Sequence, residues 1–143
     1  MSKRNGASHR GNRDRPANRL AHVDRLLLRE MSFYGYHGDV DAERELGGRY
    51  RVDLEIGTDL SQAARSDNLE GGVDYVHVYQ LVREVVEEQQ HRLLESIAET
   101  IATQVLNLAR VEEVRVRVGK TPPVRGSFGE FAVEIVRGPE RRR

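Results

Sequence analysis

Residues 111–118 read VEEVRVRV, and from Val114 onward the alternation is strict: Val114, Val116 and Val118 on one side, Arg115 and Arg117 on the other. A period of two belongs to a strand with one dry face and one wet face. Residues 50–56 (YRVDLEI) repeat the pattern, with Val52, Leu54 and Ile56 opposed to Arg51, Asp53 and Glu55. Residues 131–135 (FAVEI) set Phe131, Val133 and Ile135 on one face, with Glu134 between two of them. Leu26-Leu27-Leu28, leading to Met31 and Phe33, reads as a further strand that Gly35 and Gly38 interrupt with a turn. Residues 41–46 form one helical turn closed by Gly47-Gly48, so the first two strands are near enough for a hairpin.

The middle of the chain changes period. A polar stretch with Asp67-Asn68 and Gly71-Gly72 as turn residues precedes Asp74, an N-cap for a helix starting near Tyr75. Val78, Leu81, Val82, Val85 and Val86 recur at helical spacing until Gln89-Gln90-His91 breaks the pattern. A second helix carries the three-and-four stripe Leu94, Ile97, Ala98, Ile101, Ala102, Val105 and Leu106. The order is ββααββ. This is an α+β fold, a four-stranded antiparallel sheet with two helices on one face. The charged face must meet water, and two sheet edges stay open to a second copy. Closing several sheets into a multi-subunit barrel removes the edges and lines a wet channel with the charged faces.

A chain of 143 residues, 38% hydrophobic and 32% charged, holds one domain with a modest core. It has no cysteine, which excludes disulfides, thiolate metal sites and thiol nucleophiles. No apolar run approaches a membrane span and no signal-peptide pattern opens the sequence, so a cytoplasmic location is expected. The zero net charge is uneven. Lys3, Arg4, Arg10, Arg13, Arg15 and Arg19 against Asp14 give residues 1–22 a net +5, and the last six residues carry +2. Residues 1–22 read as a disordered basic tail, 23–138 as the folded domain and 139–143 as a flexible C-terminus. The body is acidic, so the folded domain is not expected to bind nucleic acid; contact with RNA or an acidic surface would be the tail's property.

Of 23 Lys+Arg, only Lys3 and Lys120 are lysines. Arginine stays charged, whereas lysine can be neutralised by burial and then take protons. Lys120 is therefore a candidate general base, set against the ordinary reading of a lysine at a strand end facing solvent. No two of His9, His22, His37, His77 and His91 form a ligand pair at metal spacing, so a metal site is not expected.

FYGYHG at 33–38, Glu43, VDLEI at 52–56, DLSQAARSDNL at 59–69, VDY at 73–75, LLE at 93–95 and VGKTPPVRG at 118–126 together resemble the dihydroneopterin aldolase family, in order and across most of the body. The resemblance implies the tunnelling fold, in which ββααββ subunits assemble into a barrel as tetramers or octamers with sites at subunit interfaces. It implies a small-molecule pterin substrate: 7,8-dihydroneopterin is cleaved to 6-hydroxymethyl-7,8-dihydropterin and glycolaldehyde in folate biosynthesis, with an epimerase side activity. It implies no metal, no cofactor and no Schiff base, because the ring accepts the electrons.

Residue by residue, Glu95 matches the pterin-anchoring glutamate, a carboxylate that accepts two adjacent N–H groups, with Leu94 supplying backbone contact. Without the family, Glu95 is a first-turn acid favoured by the helix dipole. Lys120 matches the catalytic lysine, and Tyr75 a tyrosine that reaches a site at the subunit boundary, with Val73 in backbone contact. Glu43 matches an acid near the substrate hydroxyls; its plain reading is one of three charges on a solvated turn, Glu43-Arg44-Glu45. His37 is expected to shape its turn through hydrogen bonds, without a chemical role. Gly72 stands where many members have threonine, and Gly48 where glutamine is common. Two other functions fit less well. An epimerase of dihydroneopterin triphosphate would need a basic phosphate cradle, and a non-enzymatic interaction module would act through the tail.

Overall fold

A computed structural model describes residues 24–122 and 128–138; the basic tail, the segment 123–127 and the C-terminus read from sequence lie outside the described residues. The elements are β1 (Asp24–Gly35), α1 (Asp41–Leu46), β2 (Gly48–Thr58), α2 (Ser61–Ser66), α3 (Tyr75–Arg83), α4 (Leu94–Leu106), β3 (Glu113–Lys120) and β4 (Phe131–Arg137). The sheet runs β1-β2-β3-β4, every pair antiparallel. Three elements go beyond the expected order. The polar stretch folds into α2 and a 3₁₀ turn at Leu69–Gly71, and α3 runs on through a π-helical stretch, Glu84–Glu88.

Register follows from the apolar alternation. Val52, Leu54 and Ile56 of β2 lie opposite Val118, Val116 and Val114 of β3, and all six are fully buried. A one-residue slip would turn all of them to water, so this pairing is strongly specified. In β1 the apolar phase breaks: Leu28 and Met31, three apart, both pack on the core side. The sheet absorbs the odd residue as a bulge between them, with Glu30 at φ 58° and its N–H donating to Asp53. Leu27 is thereby left on the wet side, half exposed.

All seven apolar residues of the α4 stripe are buried against β3 and β4. The α3 segment buries Val78, Val82, Val85 and Val86 near β1. On the opposite face the charges pair with each other. Glu55 receives Arg25 and Arg115, Arg115 also reaches Glu134, and Arg117 reaches Asp53 and Glu130. This lattice lines a shallow groove of about 400 Å³. Glu130 also takes both Nε and Nη2 of Arg51, at 2.9 and 2.7 Å, and the guanidiniums of Arg117 and Arg51 hold its carboxyl below the usual range. No helix among the described residues is long and apolar enough to cross a membrane.

Candidate active site

A cavity of about 390 Å³ opens at the end of the sheet where β3 finishes, lined by Glu43, Lys120, His37, Tyr50, Ala42, Leu46, Arg49, Thr121 and the backbone at Gly47-Gly48. Lys120 Nζ stands 3.2 Å from Glu43 Oε2, with both side chains about one-fifth exposed (19% and 20%). Glu43 is therefore not a charge on a solvated turn. At this distance a proton has a direct path between amine and carboxylate. Two backbone features bring α1 so close. Gly38 has φ 142°, and a Cβ there would lie 2.5 Å from Glu43 Cβ. Arg44 Nη1 donates to Gly38 O at 2.8 Å and fastens the helix to the turn.

His37 is buried, and both ring nitrogens are used. Nδ1 accepts the backbone N–H of His91 at 3.0 Å, so Nε2 carries the proton and donates to Val86 O at 2.7 Å. Burial pushes the imidazole below its ordinary pKa, against the opposing Val86 bond, and the charges of His91 and Lys120 add to the effect. The ring shapes the turn between β1 and α1, as its motif suggested. Tyr50 faces Lys120 across the β2–β3 register and donates its hydroxyl to His37 O at 3.1 Å. Burial first, then the Glu43 charge, raises the Tyr50 phenol above its usual pKa. Sequence reasoning missed Tyr50 as a wall of this cavity. The available signal was a phenol at an inward-facing strand position, where its hydroxyl must find a partner.

The remaining candidates divide. Glu95 is exposed in the first turn of α4 and Leu94 is buried beside it. The short connection 107–112 returns the chain from α4 into β3, so the head of the helix comes back to the Lys120 end of the sheet. Hydrogen bonds join the two places: Gly38 N–H donates to His91 O at 3.0 Å, and the His91 ring meets Ser96 Oγ at 2.7 Å. Tyr75 and Val73 sit elsewhere. Tyr75 opens α3, 64% exposed, behind an Asp74 cap that accepts the Val76 N–H. From Tyr75 to Val86, where the helix meets His37, the axis advances roughly 16 Å at 1.5 Å per residue. One chain therefore holds Glu43, Lys120 and the head of α4 at one end and the Val73–Tyr75 segment at the other.

The two glycine departures differ in the room around them. A Cβ at Gly48 would meet nothing within 4 Å, and one at Gly72 would touch Ala63 Cβ at 3.3 Å. Among the described residues no three His, Cys, Asp or Glu side chains are arranged to hold a metal ion.

Residues 26–136 match the family model described as "FolB: Dihydroneopterin aldolase". The chain is 38% identical over 117 residues to the dihydroneopterin aldolase of Bacillus subtilis, covering 80% of this chain and 98% of the relative. It is 40% identical over 117 residues to dihydroneopterin aldolase 1 of Arabidopsis thaliana, covering 80% of each. Its structure is similar to that of the E. coli dihydroneopterin aldolase in complex with neopterin, with a TM-score of 0.75 and 26% identity over 80% of this chain and 99% of the other.

Proposed function

Since the chain belongs to the dihydroneopterin aldolase family, we propose that it cleaves 7,8-dihydroneopterin by a retro-aldol reaction to 6-hydroxymethyl-7,8-dihydropterin and glycolaldehyde, in a cytoplasmic folate route. The observation that carries the reading is the Lys120–Glu43 pair on the wall of a cavity at the same end of the sheet as Glu95. Lys120 takes the proton of the 2′-hydroxyl, and Glu43 holds the side-chain hydroxyls and exchanges that proton with the amine. The C1′–C2′ bond breaks as C2′ becomes the aldehyde carbon of glycolaldehyde. Its electron pair moves through C1′ into the C6=N5 bond of the ring, so the substrate is its own electron sink. Protonation at C1′ then completes the hydroxymethyl product. Recombination of the intermediate with a turned glycolaldehyde inverts C2′ and gives an epimerase side activity. A positioned base of this kind contributes on the order of 10²–10⁴-fold in rate.

Glu95 accepts the ring amino and N–H groups as a bidentate pair, with Leu94 at its side. Tyr75 and Val73 come from a neighbouring copy, because their own chain holds them roughly 16 Å along α3 from the His37 turn. Tyr75 covers the pterin and delivers the proton to C1′. The open edges β1 and β4 suit a homo-oligomer, a tetramer or octamer, that brings these segments together. The test is incubation with 7,8-dihydroneopterin, following glycolaldehyde and the hydroxymethyl product together. Equal release of the two is expected, and pterin consumption without glycolaldehyde would overturn the reading.

A further inference from the structure

We propose that His91 is a positioning residue for the pterin-binding carboxylate: it clasps the head of α4, and with it Glu95, to the turn that leads from β1 into α1 and Glu43. The inference rests on Glu95 being the pterin anchor. Helix α4 begins at an apolar cap residue, Leu93, with no side-chain cap. A helix start without one leaves orphan N–H groups and frays readily. What ties this first turn down is the His91 imidazole, whose Nδ1 lies 2.7 Å from Ser96 Oγ and whose Nε2 lies 2.9 Å from Gln89 Oε1. Gln89 Oε1 only accepts, so Nε2 carries the proton and Nδ1 accepts the Ser96 hydroxyl.

The backbone of His91 performs the other half. Its N–H donates to His37 Nδ1 and its carbonyl accepts the Gly38 N–H, each at 3.0 Å. A two-point backbone clasp on the turn is thus continued, through one side chain, into the residue following Glu95. Arg92 adds an exposed ion pair to Asp39 at 3.5 Å, a weaker tether between the same two segments. Among the described residues Glu95 itself has no bond that would aim it; its direction follows from the turn it stands on.

Three single variants and one double variant test this: His91→Ala, Ser96→Ala, His91→Asn and His91→Ala with Ser96→Ala. Neopterin affinity is measured by calorimetry, and KM and kcat with 7,8-dihydroneopterin. Loss of the His91–Ser96 bond weakens neopterin binding and raises KM by about 3- to 10-fold, the weight of one hydrogen bond, with kcat within about twofold. The double variant is no worse than either single, because the two residues act as a pair. His91→Asn, whose Oδ1 takes the place of Nδ1, restores affinity. Additive effects overturn the proposal, as does a lowered Tm with unchanged KM, which marks a merely structural bond. Should His91→Ala fail to fold, Ser96→Ala and His91→Asn carry the same comparison. Glu95→Gln separates the two readings: unchanged neopterin affinity in that variant sinks the anchor itself. A loss there with none in Ser96→Ala sinks only the positioning role.

Discussion

Replacing Lys120 by Met removes the amine while keeping most of the aliphatic stem, which lines the cavity with Tyr50 and Thr121. The structure separates two consequences. The first is chemical. Nζ is the basic atom on the cavity wall within hydrogen-bonding reach of Glu43, at 3.2 Å, and its loss removes a positioned base. That term is on the order of 10²–10⁴ in kcat, or ~2.7–5.5 kcal/mol of transition-state stabilisation. The second is electrostatic. Glu43 keeps its carboxylate, about four-fifths covered, without its cation. Leaving a mostly covered carboxylate without its partner costs on the order of 1–3 kcal/mol, so the variant should fold with a lowered Tm. With the ring gripped at Glu95 as proposed, and not at Lys120, neopterin affinity should change by less than about threefold. The assay is stopped-flow fluorescence of dihydropterin turnover, paired with calorimetric binding. If the two groups exchange one proton, as proposed, the double variant Lys120→Met with Glu43→Gln should have a kcat little below that of Lys120→Met alone. A Lys120→Met enzyme retaining more than about one-tenth of wild-type kcat would refute the assignment.

Mixing inactive Tyr75→Phe and Lys120→Met chains, refolded together, should recover a fraction of wild-type turnover, since sites that take both intact residues from different copies reappear; no recovery at any mixing ratio argues against a shared site. Gly38→Ala should lower stability by roughly 1–3 kcal/mol in denaturant titration, because φ 142° is foreign to alanine and the new Cβ meets Glu43, whereas Gly48→Ala, with open space around it, should be near neutral. Stability should also depend on His37. Its imidazole titrates lower in the folded chain than the ordinary value near 6.5, so between those two values the unfolded chain binds more protons and stability rises with pH. The contribution is complete above pH ~6.5 and is lost as pH falls through the folded value. His91 is shifted in the same direction by burial and adds to the slope. A His37→Gln variant should flatten the Tm profile between pH 5 and 8, on the order of the unperturbed titration range, and a stability that falls as pH rises across that range contradicts the linkage.

The fold was legible where periodicity was strong. The α4 stripe was complete in the sequence because every apolar residue in it faces β3 and β4. The β2 and β3 phases were equally plain, since each alternate residue is either fully buried or ion-paired. Strand β1 was not. Leu26-Leu27-Leu28 gives no phase, and the bulge that reconciles Leu28 with Met31 is a tertiary accommodation that no local pattern announces. The short α2 and the π-helical stretch escaped for a similar reason, being too brief to repeat a period. At the site, motif residues named Glu43 and Lys120 separately, and their contact across 77 positions needed the sheet. Tyr50 and His91 stayed invisible because their hydrogen bonds reach across the chain to the turn between β1 and α1, the Tyr50 hydroxyl to His37 O and the His91 backbone to His37 Nδ1 and the Gly38 N–H.

The separation of Tyr75 from Lys120 also bears on why the wet face of the sheet is built as it is. If neighbouring copies must bring α3 of one chain to the cavity of another, their sheets run on edge to edge and the charged faces come to line one space. A face of single sign would repel its neighbours there. In this chain Arg25, Glu55, Arg115 and Glu134 alternate in sign across the four strands, and Asp53, Arg117, Glu130 and Arg51 form a second chain of opposite charges beside them. These eight charges sum to zero, so each sheet brings a nearly neutral wall to any partner. The assembly force must then come from edge hydrogen bonds and from apolar side chains such as Leu27 and Phe131, both about half exposed in the single chain. Raising salt from 0.05 to 1 M, on the order of shortening the Debye length from above 10 Å to 3 Å, should leave the assembled mass unchanged. Dissociation at high salt, read by sedimentation, would show instead that charge between copies holds the ring.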